Sequence, residues 1–96
     1  MAEHNVTHQA DNHHFIITVD GEQAGFADYT PKSEGAIRDF NHTVIDDSFR
    51  GQGLAKELIR TALDETRDKG LLIYPTCSAV AGFVQKNPEY EDLVAH

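Results

Sequence analysis

The stretch Phe49-Arg50-Gly51-Gln52-Gly53-Leu54-Ala55 runs straight into Lys56-Glu57-Leu58-Ile59-Arg60-Thr61-Ala62-Leu63, so two glycines one residue apart are followed at once by a helical pattern. Leu54, Ala55, Leu58, Ile59, Ala62 and Leu63 fall on one stripe, while Lys56, Glu57, Arg60, Asp64, Glu65 and Arg67 fall on the other. This is the period of an amphipathic helix, predicted over residues 53–69 and ended by Gly70. Glycines let backbone N–H groups approach a ligand closely. At a helix start the unpaired N–H donors and the positive end of the dipole face the same point. Such a loop can cradle a phosphate with little side-chain charge, although loop glycines alone also read as plain flexibility. No Gly-Lys-Ser/Thr follows, so this is not a Walker loop, and a dinucleotide fingerprint would need a third glycine.

Working outward, Leu71-Leu72-Ile73-Tyr74 before Pro75 suits a buried strand, reached from the strand before the loop by a right-handed crossover. Residues 78–86 predict a second helix with Val80, Phe83 and Val84 inward, stopped at Asn87-Pro88. Tyr90, Leu93 and Val94 remain for packing. On the N-terminal side, Phe15, Ile17 and Val19 alternate with Ile16 and Thr18, Asp20-Gly21 is a hairpin turn signal, and Ala24, Phe26 and Tyr29 mark the returning strand. Residues 30–35 are rich in turn formers and lead to a third strand over residues 36–45. There Ile37 falls on one parity and Phe40, His42 and Val44 on the other. That change of phase is read as a bulge near Asp39 or as a strand buried on both faces. Residues 1–12 show no period and are expected to be a flexible tail, leaving one domain over residues 13–96. His4 and His8 have the spacing of a helical metal pair, but without a helix signal or a third ligand no metal site is expected.

The chain of 96 residues carries 8 basic and 16 acidic side chains, a formal net charge of −8. Clustered Lys and Arg are missing, which argues against nucleic-acid or anionic-membrane partners. No apolar run approaches the length of a membrane span, and one cysteine forms no internal disulfide, so a cytoplasmic, reducing location is expected.

With these motifs in order, the chain resembles the GNAT superfamily of acyl-CoA-dependent N-acetyltransferases. Arg50-Gly51-Gln52-Gly53-Leu54-Ala55 matches its R/Q-x-x-G-x-G/A signature. His42-Thr43, Leu71-Leu72-Ile73-Tyr74-Pro75-Thr76-Cys77, Phe83-Val84 and Asn87-Pro88-Glu89-Tyr90 extend the likeness to its small single-domain branch, over about residues 14–91. The resemblance implies an α/β (α+β) fold: N-terminal antiparallel strands, then a strand–helix–strand–helix unit with the Gly-rich loop at the helix start. It also implies that acetyl-CoA is the co-substrate, held by Arg50, Gly51, Gln52, Gly53, Leu54 and Ala55, with the amides of residues 52–55 on the pyrophosphate and Val44 and Ile45 along the pantetheine arm. Larger members insert two helices between the first two strands; here Asp20-Gly21 closes that gap, so the acceptor site should be open and the amine acceptor is not named by the sequence.

Three residues are candidates for chemistry. Cys77 immediately precedes the second predicted helix, where N–H groups lower a thiol pKa; it can attack the acyl thioester, line the pantetheine sulfur, or be a small buried hydrophobe. His42 can take a proton from the amine or from Cys77, or be a strand histidine with a satisfied hydrogen bond. Tyr74 can protonate the departing CoA thiolate, or pack in the core with Leu72 and Ile73. Asp46 and Asp47 shape the loop, and Phe40, Phe83 and Tyr90 belong to the core. The leading expectation is acetyl transfer from acetyl-CoA to an amine. The alternatives are a non-catalytic acyl-CoA-binding module or sensor, and a small interaction domain in which the Gly loop is accidental.

Overall fold

The computed structural model of the chain describes residues 3–95. Five strands form one sheet whose spatial order is their sequence order: β1 (His4–Gln9), β2 (His14–Val19), β3 (Glu22–Lys32), β4 (Ile37–Ile45) and β5 (Leu72–Tyr74). The first four pair antiparallel, and β5 lies parallel to β4 after the crossover helix α1 (Leu54–Asp68). A second helix, α2 (Ser78–Lys86), and a 3-10 segment over Pro88–Leu93 complete the order. This is the mixed α/β arrangement expected from the sequence.

Physical signals in the sequence explain most element ends. Asp20 and Gly21 both take positive φ (51° and 83°), the combination a type I′ turn needs, and they join β2 to β3. The turn expected at residues 30–35 is shorter, because β3 runs through Pro31 to Lys32 and only Ser33–Gly35 turns. Pro31 pairs with Arg38 near the end of the ladder.

Both helices lie on one face of the sheet, and one core joins them to it. Phe15, Ile17 and Val19 from β2, Ala27 and Tyr29 from β3 and Phe40 from β4 meet Leu54, Leu58, Ile59, Ala62 and Leu63 of α1. Val80, Phe83, Val84, Tyr90 and Leu93 close the far side. Arg38 is the one charged residue buried with them among the described residues. Its guanidinium donates to Glu65 and to Thr66 Oγ1, each at 3.0 Å, and lies 4.9 Å from the Tyr29 ring centre. Among the described residues, the opposite face of the sheet carries no helix.

Two expectations are corrected. Residues 4–9, read as part of a flexible tail, form an edge strand; Met1 and Ala2, the rest of that reading's start, lie outside the described residues. The inward side chains of β1 are His4, Val6 and His8, and the histidines reach α1: His4 Nδ1 lies 2.7 Å from Glu57, and His8 Nδ1 contacts Glu65. The second correction concerns β5, which is not buried throughout. Ile73 is enclosed, but Leu72 and Tyr74 stay 39% and 38% exposed, because the helical layer covers only one face of this three-residue strand. A parallel bridge from Ile73 to Val94 and the Ala95 N–H to Ile73 O bond line its outer side.

Candidate functional site

Strand β4 pairs His42 with Asp28 and Phe40 with Tyr29, which leaves Asn41 as an extra, unpaired residue. The bulge therefore sits at Asn41, two positions beyond the Asp39 suggested by the sequence. Its effect is to change which residues face the helices. Before it, Arg38 and Phe40 point into the helical layer; after it, Thr43 and Ile45 do, while His42 and Val44 take the bare face.

The bulge also decides which backbone groups are free. The Asp46 N–H donates to Ala24 O at 2.7 Å, fixing the phase of the β3–β4 ladder. By the alternation of antiparallel pairs, His42 and Val44 then bond to β3, and Thr43 and Ile45 turn their N–H and C=O groups to the other edge. Strand β5 covers that edge only along Ile37, Arg38 and Asp39. Past it, the Cys77 N–H takes Phe40 O at 2.8 Å and the chain turns away into α2. A wedge thus opens between β4 and the β5–α2 connection. Of the two residues expected along a pantetheine arm, Ile45 offers its backbone to the wedge and Val44 gives its backbone to β3.

The glycine loop lies at the wide end of this wedge. Gly51 (φ 84°) and Gly53 (φ 71°) both occupy the left-handed region, and a Cβ on either would project into open space. Asp46 Oδ1 accepts from the Ser48 N–H at 2.9 Å and Asp46 O from the Phe49 N–H at 2.9 Å, so Asp46 does shape the loop. Gly53 caps α1, whose first i to i−4 bond is Glu57 N–H to Gly53 O. The N–H groups of Leu54, Ala55 and Lys56 precede that bond and have no intrahelical acceptor. A cavity of about 230 Å³ lined by Ile45, Phe49, Arg50, Gly51, Gly53, Leu54 and Ala55 lies beside this helix start. Ala55 also borders a groove of about 370 Å³ between α1 and α2, walled by Ile59, Phe83 and Gly82 and flanked by Lys56 and Lys86. Arg50 pairs with Asp47 at 2.9 Å on the exposed outer side of the loop.

Cys77 stands at the narrow end as the residue before α2, half-buried. Its sulfur lies 3.5 Å from Thr43 Oγ1. Burial works against the thiolate, but the Thr43 hydroxyl and the N–H groups of Ala79, Val80 and Thr43 outweigh it, so the thiol pKa lies below its ordinary value. Sequence alone placed the helix start there; Thr43 was missed because only the bulge turns it toward the sulfur.

His42 and Tyr74 are not brought to Cys77. His42 is exposed on the bare face against the Phe26 ring, with centroids 5.9 Å apart. Tyr74 pairs with Asp39 in the parallel ladder and projects to that same face, half-exposed instead of core-packed. Among the described residues no three His, Cys, Asp or Glu side chains converge as a metal site, and no helix is long and apolar enough to cross a membrane.

A family model described as GCN5-related N-acetyl-transferase matches residues 14–93. The chain belongs to the GCN5-related N-acetyltransferase family. Among curated relatives, Protein NATD1 of Bos taurus is 40% identical over 52 residues, which are 54% of this chain and 46% of the relative. Protein NATD1 of Danio rerio is 32% identical over 60 residues, 60% of this chain and 54% of the relative. The chain thus spans about half the length of the curated relatives it matches. The solution structure of a GCN5-like protein from Staphylococcus aureus superposes with a TM-score of 0.71 at 22% identity, covering 95% of this chain and 87% of that one. Ard1 from Thermoplasma volcanium superposes at 0.60 with 18% identity, over 78% of this chain and 54% of that one. These likenesses show that the fold is that of GCN5-related N-acetyltransferases, whose members usually use acetyl-CoA.

Proposed function

We propose that the chain binds acetyl-CoA in the wedge beside β4 and passes its acetyl group to an amine. The observation that carries this reading is the backbone edge at Thr43 and Ile45 that β5 leaves uncovered, between the glycine-loop cavity and the Cys77 sulfur. The amides of Gln52, Gly53, Leu54 and Ala55 would hold the pyrophosphate, since left-handed glycines and a helix N-terminus converge there. The free edge would take the pantetheine amides, and Lys56 and Lys86 would stand beside the remaining phosphate charge in the α1–α2 groove.

Two routes lead from there to the amine. In direct transfer, a nitrogen lone pair attacks the thioester carbonyl carbon, its oxygen is polarised by strand amides, and the C–S bond breaks to give CoA thiol and an amide. In the covalent route, the Cys77 thiolate forms the new C–S bond, CoA leaves as a thiolate that gains a proton, and the amine then displaces Cys77. The lowered thiol pKa supports the second route. Binding without turnover is the second reading, favoured by the placement of His42 and Tyr74 on the face away from Cys77.

Calorimetric titration with acetyl-CoA and CoA, followed by intact mass, tests these readings. Binding with an adduct of roughly 42 Da, one acetyl group, that is lost in Cys77→Ser supports the covalent route. Full turnover by Cys77→Ser with every acceptor removes that route. Binding with no product across an amine screen selects the non-catalytic module, and absence of binding overturns the reading altogether.

A further inference from the structure

Thr43 reaches Cys77 only because of an added residue. In an unbroken strand, positions 40 and 42 would share the helical face and position 43 would lie on the bare one. Asn41, unpaired between the Phe40 and His42 registers, shifts that parity so that Thr43 faces α2. Two groups of Thr43 then address the sulfur: its Oγ1 at 3.5 Å and its own N–H, turned to the edge β5 leaves uncovered. The Cys77 backbone is anchored separately through its N–H to Phe40 O at 2.8 Å, so β4 holds both ends of the cysteine across the bulge.

We infer that Thr43 is a positioning residue for Cys77, holding the sulfur against the free β4 edge and solvating its negative charge through the side-chain hydroxyl. This rests on the reading of Cys77 as a nucleophile and adds the residue that makes it one. The geometry leaves few other groups to play that part. Asp39 and His42 of β4 and Tyr74 of β5 lie on the opposite face of the sheet, Arg38 is engaged by Glu65 and Thr66, and Lys86 sits at the far end of α2. Lys56 of α1 lines the α1–α2 groove, which Ser78 and Ala79 also line. The thiol-lowering influences resolved at Cys77 are hydrogen bonds, from Thr43 and from the first turn of α2.

The experiment is the pH dependence of iodoacetamide alkylation, in which the sulfur displaces iodide and the rate follows the thiolate fraction. The chain has one cysteine, so the adduct needs no assignment. T43V, nearly the same shape without the hydroxyl, should move the midpoint upward by about one unit and slow alkylation near neutrality about tenfold, whereas T43S should keep the wild-type midpoint. An unchanged midpoint in T43V, or an equal shift in T43S, overturns the assignment. If T43V lowers the melting temperature, T43A carries the same expectation and the same overturning result. Alkylation reads the thiol and not the acyl donor, so a chain that fails to bind acetyl-CoA would defeat the proposed function while leaving this result standing.

Discussion

A Cβ placed on Gly25 would stand 2.6 Å from the carbonyl oxygen of Val44 and 2.6 Å from the end of the Ile45 side chain. Real side chains do not approach backbone so closely, and a carbonyl held in a ladder has little room to move. G25A should therefore push β4 outward and destabilise the fold by about 1–3 kcal/mol, the usual cost of overpacking. Chemical denaturation measures this; a change under about 0.5 kcal/mol, the scatter of an ordinary surface substitution, would mean that the β3–β4 spacing relaxes freely.

Arg38 and Glu65 tie β4 to α1 with the charge of Arg38 enclosed, only 6% exposed. Removing one partner of a buried pair strands the other, while Glu65 here keeps some solvent and the His8 contact. R38M should cost about 2–3 kcal/mol, somewhat under the full cost of breaking a buried pair. A double-mutant cycle with E65Q checks the coupling, and purely additive losses would show that packing of the long side chain accounts for the effect.

His8 gives the fold a pH dependence of defined sign. Burial, together with the charges of Arg38 and Lys69, lowers its pKa in the folded chain against the opposing pull of Glu65. The unfolded chain thus takes up the proton first, near the ordinary histidine value of about 6.5, and stability falls as pH drops below that value until the folded pKa is passed. Comparing thermal unfolding of wild type and H8Q near neutral and mildly acidic pH should show a smaller acid loss in H8Q. An equal loss would assign the effect to other groups.

The two lysines of the α1–α2 groove should act through charge. K56Q and K86Q together are expected to weaken CoA binding about tenfold at low salt, at about 0.7 kcal/mol for each exposed charge, and the difference should shrink as salt is added. Pantetheine, which lacks the phosphates, should bind both proteins equally. A matching loss for pantetheine would place the effect in groove shape.

Much of this fold was legible because the signals repeat: the 54, 58, 62 stripe of α1, the Phe15, Ile17, Val19 alternation and the Asp20-Gly21 turn each report one period. Strand β1 was hidden because two of its three inward positions are histidines, and hydropathy does not count His8 as apolar although its ring stacks on Phe15 at 4.2 Å. The glycine loop could be read from its own residues. The wedge could not, since it depends on where β5 stops pairing with β4 and on one extra residue at Asn41. Gly25 carries a signal of its own: a glycine inside a strand pattern often marks a close backbone approach.

Since the strands lie in the sheet in the order in which they occur in the chain, each of the first three pairings closes through a short connection. Among the strand pairs of the described residues, β4–β5 is the one that spans a crossover, so it must await a formed α1 before its loop entropy is repaid. The β4–β5 pairing, which borders the wedge proposed for the acyl donor, is therefore expected to assemble last and to open first under denaturant. Amide exchange should be fastest there and slow most on adding CoA, so that the ligand completes the folding of its own site.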